Sequence, residues 1–262
     1  VFSPTSGAEL PQLLRRAFRE ATTGSLGACH MSLPFDVQNQ PVDESDMGAD
    51  DRFGFYPNER LEPNSDQVTA VARLLVESRR PLLVAGAGTL RSGAWKEVTA
   101  LSHALGAPVG TSICGKGAIA ETDAFSLGVI GSNGGLPWRH DLVRQADLVF
   151  YIGCGAGSVT TEKWTLPTPG STTVLQLDAD KDVIGRVYDV AAGIHSDASL
   201  GLGALLEEVA ALGADGAGDR VDPAEIAGGH QAHMERVAHL FACDERPIRP
   251  ERLMAELFAA LP

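Results

Sequence analysis

The sequence holds 262 residues, 44% of them hydrophobic and 21% charged, with a formal net charge of −13. That length suffices for one large α/β domain, or for a medium domain with flanking pieces, and the composition supplies an ordinary globular core. An acidic surface repels phosphate backbones, which argues against nucleic acid as a partner, and no apolar run approaches the roughly 20 residues that span a bilayer.

The opening "VFSPTSGAELPQLLRRAF" lacks the basic-then-apolar pattern of a signal peptide, and the missing initiator Met is consistent with processing or excision. Residues 8–20 place Leu10, Leu13, Leu14 and Phe18 on one face of a helix. "GACHMSLPFDV" then reads as a Gly-led strand closed by Pro34. The following stretch is polar, acidic and turn-rich, which predicts a linker over 41–63. "NSDQVTAVARLLVESRR" opens on a capping cluster and carries an apolar stripe of Val68, Val71, Leu74 and Leu75, so a helix is expected.

Six strand-like runs come next: Pro81–Gly88, Ala107–Ile113, Leu127–Ile130, Asp147–Gly155, Thr172–Asp178 and Ala191–His195. Helical segments at Ser92–Leu105, Pro137–Gln145 and Ala198–Leu212 alternate with several of them. The strands are apolar along their length rather than alternating, so both faces are expected to be covered. Strand–helix alternation around such a sheet predicts an α/β fold, a doubly wound six-stranded parallel sheet with helices on both faces. A second turn-rich stretch follows from residue 213. A helix over Gln231–Phe241 and the beginning of another in "RPIRPERLMAELFAALP" close the chain. These shifts divide it into 1–40, 41–63, 64–212 and 213–262.

Glycines gather at the expected strand ends. Gly86, Ala87 and Gly88 close the first run, Thr111 ends the second, Gly128 and Gly131 flank the third, and Gly153, Cys154 and Gly155 close the fourth. In an open parallel sheet ligands sit at the carboxyl ends of strands, where glycine lets backbone approach a ligand and aim N–H groups at phosphate. The competing reading is a set of compact βα turns in a chain with 29 glycines. "GAG" is no dinucleotide fingerprint, because Arg91 occupies the third glycine position and no acidic residue stands about 20 positions further on. Asp178 and Asp180 end the fifth run. They could hold ribose hydroxyls or an adenine amine, or cap a helix beginning near Lys181.

Catalytic and metal signals are weak. Cys29, Cys114, Cys154 and Cys243 are not at metal-ligand spacing and read as reduced, half-buried side chains, which points to the cytoplasm. His230 and His233 share a helical face without a third ligand. No base accompanies Cys154, and "GCGAGS" is not a nucleophile elbow. No catalytic residue and no metal ligand is assigned.

The ordered pieces resemble a known family. "HMSLPFDVQ", with Gly27, Ala28, Cys29 and then Leu33–Pro34–Phe35–Asp36–Val37, resembles the closing strand of the pyrimidine-binding domain in thiamine-diphosphate enzymes of the acetolactate synthase type. "ELPQLLRRAFREA" is similar to the helix before it. "RRPLLVAGAG", "ALGAPVGTSICGKGAIAETDAFSLGVIG", "QADLVFYIGCG" and "LQLDAD" resemble the family's central domain, and "RPIRPERLMAEL" the lead-in to its diphosphate-binding domain. The resemblance implies a Rossmann-like sheet of the DHS type within a parent enzyme that decarboxylates or carboligates a 2-oxo acid, using thiamine diphosphate and Mg²⁺. It implies other domains of that parent as partners, and a homo-oligomer. The family's catalytic glutamate has no counterpart here, and its Gly-Asp-Gly…Asn segment has only "ADG" at residues 214–216, with no Asn after Asn133. The segment alone is therefore expected to be inactive. Some family members bind FAD or ADP in the central domain. Here Gly155 stands in the place of the arginine of the FAD binders' Gly-Ala-Arg-Phe stretch, and Ile130 in the place of a polar flavin-side residue. A chiefly structural central domain and a free-standing FAD-, ADP- or NAD-binding module are the two readings carried forward.

Overall fold

The computed structural model describes residues 1–24, 26–43, 51–213 and 220–261. The chain forms two compact units, Val1–Arg220 and Val221–Pro262. The first contains α1 (Leu10–Thr22), the short α2 (Phe35–Gln38), α3 (Ser65–Glu77), β1 (Pro81–Ala85), α4 (Ala87–Ser92), α5 (Trp95–Leu105), β2 (Val109–Thr111), β3 (Ser126–Val129), α6 (Pro137–Gln145), β4 (Leu148–Ile152), β5 (Thr173–Asp178), β6 (Ala192–His195) and α7 (Ala198–Ala211). The six strands form one sheet in the order β3-β2-β1-β4-β5-β6. Every neighbouring pair is parallel. The expected doubly wound α/β architecture is the observed one.

The sequence dictates this sheet through burial on two sides. Every residue of β1 and of β4 is buried, odd and even positions alike. On one face Leu83, Phe150, Leu175 and Ile194 join a single core with Val71 and Leu75 of α3, Val98 and Leu101 of α5, and Leu202 and Leu205 of α7. Those helical residues recur at helical spacing, and a fully buried side chain of this size contributes about 1.5–3 kcal/mol. Leu82, Val84, Val149 and Val174, pointing the other way, are buried as well, and α6 buries Leu142 and Val143. Asn64 caps α3 by accepting from the N–H groups of Asp66 and Gln67, and Asp197 caps α7 by accepting from those of Ser199 and Leu200.

Local chemistry makes the structure depart from the expected reading in several places. The strand expected over Pro81–Gly88 ends at Ala85, and α4 takes up Ala87–Ser92 in its place; Gly93, at φ 74°, ends that short helix, so the helix expected over Ser92–Leu105 begins only at Trp95, as α5. The strand expected before Pro34 does not form. Its segment makes only one isolated bridge, Phe2 to Met31, and a strand needs a continuous partner. No helix begins at Lys181; the segment is a run of turns. Finally, of the four cysteines only Cys243 is half-buried as expected; Cys29 and Cys114 are exposed and Cys154 is buried.

In the second unit α8 (Pro223–Phe241) starts inside the stretch expected to be a linker, because Asp222 accepts from the N–H of Ala224 and Pro223 stands at the first helical position. α9 (Pro250–Ala260) lies against α8. The "ADG" of residues 214–216 lies outside the described residues.

Candidate functional site: the cleft at the sheet's C-terminal crest

The carboxyl ends of the strands border a cleft of about 540 Å³. Gly86, Ala87, Gly88, Gly153, Cys154, Gly155, Asp178 and Asp180 all line it, so eight residues that the sequence points to meet in one place. Thr111, Gly128 and Gly131 do not. Thr111 ends β2 with its side chain buried, and its hydroxyl has no hydrogen-bond partner among the described residues. Gly128 lies under the Arg139 guanidinium, whose Nη1 would stand 3.2 Å from a Cβ there, and Gly131 lies against the Val159 carbonyl. Arg91, Ser112, Asn133, Thr160 and Val183 line the cleft with no sequence signal to mark them as lining residues. Arg91 stands out in the sequence only because it spoils a glycine motif. The others follow strand ends in loops whose direction no periodicity encodes.

The glycine turns are joined to one another. The Gly86 N–H donates to the Ile152 carbonyl at 2.9 Å, the Gly88 N–H to the Gly153 carbonyl at 2.9 Å, and the Thr89 N–H to the Gly86 carbonyl at 3.2 Å. The Gly153 N–H donates to the Leu177 carbonyl at 2.8 Å. The Thr89 hydroxyl adds a bond to the Ile152 carbonyl at 3.0 Å. A Cβ on Gly86 would stand 2.2 Å from the Gly153 oxygen, and one on Gly88 2.7 Å from the Gly153 Cα. Glycine is required here because two neighbouring backbones touch.

The side chains around the cleft are mostly committed as well. Asp178 accepts from the Asp180 N–H at 3.0 Å, and Asp180 from the Asp182 N–H at 3.0 Å, so the expected cap is that of a turn rather than a helix. Burial, with the Asp180 charge beside it, pushes the Asp178 carboxyl above the usual carboxylate range, against the pull of the Asp180 N–H and of Arg186. Burial likewise pushes the Cys154 thiol up to about 11, which leaves it protonated and unreactive at neutral pH. Gln176, buried in β5, donates to the Cys154 carbonyl at 3.1 Å and accepts from the Gly185 N–H at 3.0 Å. Among the described residues no group of three or more His, Cys, Asp or Glu side chains is arranged to hold a metal ion.

Two further features frame the crest. In the loop after β4, Glu162, Lys163 and Trp164 are successively left-handed, with φ of 49°, 57° and 63°. That conformation costs about 1–2 kcal/mol per residue. It is held by the Lys163 N–H on the Ser158 carbonyl and the Trp164 N–H on the Thr161 hydroxyl. Beside the cleft, a smaller cavity of about 100 Å³ is shared by Gly88, Asp178 and the Pro57–Leu61 stretch. Arg60 anchors that stretch, donating from Nη1 to Asp197 at 2.8 Å and to the Ser92 carbonyl at 2.8 Å. The Ser92 hydroxyl donates to Asp197 at 2.8 Å.

The sequence model of the thiamine pyrophosphate enzyme central domain matches residues 68–205. A Methanocaldococcus jannaschii protein named probable acetolactate synthase large subunit is 30% identical over 97% of this chain and 42% of its own length. A Pseudomonas aeruginosa protein named probable 2-ketoarginine decarboxylase is 30% identical over 91% of this chain and 43% of its own length. In fold, the chain is similar to the benzoylformate decarboxylase of Polynucleobacter necessarius, with a TM-score of 0.64 and 23% identity over 79% of this chain and 38% of that one. The chain thus spans about two fifths of the length of the proteins it matches.

Proposed function

We propose, from the premise that this chain belongs to the family of thiamine pyrophosphate enzyme central domains, that it is the non-reacting middle of a parent enzyme that decarboxylates or carboligates a 2-oxo acid. The observation that carries this reading is the family match across 68–205, the stretch that builds the sheet and its crest. The chemistry available agrees with it. The buried Cys154 thiol is held protonated and is not poised as a nucleophile. Thiamine diphosphate supplies the electron sink when bound in the parent. The residues of this segment contribute a rigid support and pin their neighbours, as Arg60 pins the Pro57–Leu61 stretch onto Asp197.

In this reading 1–40 closes a pyrimidine-binding domain, 41–63 is a linker, 64–212 is the central domain, and 213–262 leads to a diphosphate-binding domain. The parent is a cytoplasmic homo-oligomer of the transferase or lyase class. The test is to purify the intact parent and this segment separately, and to measure CO₂ release from pyruvate and a panel of other 2-oxo acids. Turnover by the parent, dependent on added thiamine diphosphate and Mg²⁺, is expected. Turnover by the segment alone, or none by the parent across the panel, would end the proposal.

A further inference from the structure

We infer that the crest cleft is closed to nucleotide diphosphates, FAD and ADP included, and that its glycines form a backbone seam rather than a phosphate cradle. A diphosphate at the end of a parallel sheet is held by unengaged backbone N–H groups, by a helix N-terminus and by cations. At this crest the N–H groups of Gly86, Gly88, Thr89 and Gly153 already donate to carbonyls of the same crest, at 2.8–3.2 Å. To aim them at a phosphate, the β1 and β4 turns would have to separate, breaking those bonds. The helix that follows, α4, has only six residues.

The side chains repeat the answer. Asp178 and Asp180 bring two carboxylates to the lining, against Arg91 in the lining and Arg186, whose guanidinium lies over Gly155 and is already drawn to Asp178. On the β3 side the backbone of Gly128 is covered by Arg139, and that of Gly131 by the loop carrying Val159. Arg139 is itself engaged, donating to the Val129 carbonyl at 3.1 Å. The residues present therefore do not fit FAD or ADP. This inference stands apart from the thiamine reading, because any chain with this crest would be closed in the same way.

The test uses the intact parent and the purified 262-residue chain, the latter once a cooperative thermal melt establishes that it folds. Absorbance near 450 nm reads copurified flavin. Calorimetric titrations with FAD, ADP and inorganic pyrophosphate, each taken to millimolar concentration, read binding. Melts with the same ligands read stabilisation, which for a filled micromolar site amounts to several degrees. No flavin absorbance, no saturable heat and no shift in Tm are expected. Saturable one-to-one binding of any of the three ligands, to either protein, or stoichiometric flavin in the purified parent, would overturn the inference. Binding of pyrophosphate alone would show that the N–H groups at the crest are available after all.

Discussion

Replacing Gly86 with alanine places a methyl carbon 2.2 Å from the Gly153 oxygen, 2.6 Å from the Cys154 Cβ and 2.7 Å from the Cys154 Cα. Gly86 sits at φ −107°, ψ −171°, extended backbone that alanine adopts freely, so the perturbation is purely steric. None of the three atoms can swing aside, because two are backbone and the third belongs to a buried side chain. Overpacking of this kind costs about 1–3 kcal/mol, and an overlap of this depth against backbone belongs at the upper end. The restricted unfolded chain of the alanine variant returns about 0.4–1 kcal/mol. A net loss of about 2 kcal/mol follows, or roughly 4–8 °C in Tm for a unit of this size. Gly157 lines the same cleft, but a methyl group there would find nothing within 4 Å, so Gly157→Ala should stay within about 0.5 kcal/mol of the parent sequence. Urea and thermal denaturation followed by circular dichroism measure both. The packing account is refuted if Gly86→Ala melts with the parent sequence, or if Gly157→Ala loses as much.

Three other outcomes are expected. Asp197→Ala removes the α7 cap and strands the Ser92 hydroxyl and Arg60, so urea unfolding should lose about 2–4 kcal/mol. Arg60→Ala should lose about 1 kcal/mol or less, because its side chain is 36% exposed. Asp147 is partly desolvated, yet the Ser78 hydroxyl and the Arg79 and Arg80 N–H groups hold its carboxyl below the usual range. Its contribution is present above the ordinary carboxylate value of about 3.9 and is lost as pH falls through the lower folded value. The stability gap between the parent sequence and Asp147→Asn should therefore be constant from about pH 5 upward and shrink below about pH 4. A gap that widened on acidification would contradict the assigned contacts. With a thiol reagent at about pH 8, Cys29 and Cys114 should label in the native protein, and Cys154 only after urea is added. Rapid native labelling of Cys154 would count against its burial.

The fold was legible in the sequence wherever a pattern repeats. The apolar runs of β1 and β4 announced a sheet buried on two sides, and α6 begins and ends where Pro137 and the polar Gln145 suggested. Single-residue events were harder to read. Gly93 ends a short helix that takes the place of an expected strand end and delays the next helix to Trp95, and Asp222 with Pro223 starts α8 within an expected linker. The site was legible as a place but less so in its causes. Strand ends brought Gly86, Gly153 and Asp178 to one cleft, yet whether a glycine faces a ligand or a neighbouring backbone is a tertiary fact that a one-dimensional motif does not carry. The left-handed run at Glu162–Trp164 had no signal at all, since none of its residues is Gly or Asn.

The strand order has a consequence for synthesis. β1 lies beside β4, with Leu83 opposite Phe150, while β2 and β3 close on the other side from residues made in between. As the chain leaves the ribosome, the first three strands can assemble, but one flank of β1 keeps its amides and carbonyls bare until Leu148–Ile152 emerge. At ordinary elongation rates that interval is on the order of several seconds. An uncovered flank of Leu, Leu and Val is a template for pairing with another nascent chain, so crowded polysomes and slow codons between β1 and β4 are where this protein is most exposed to aggregation.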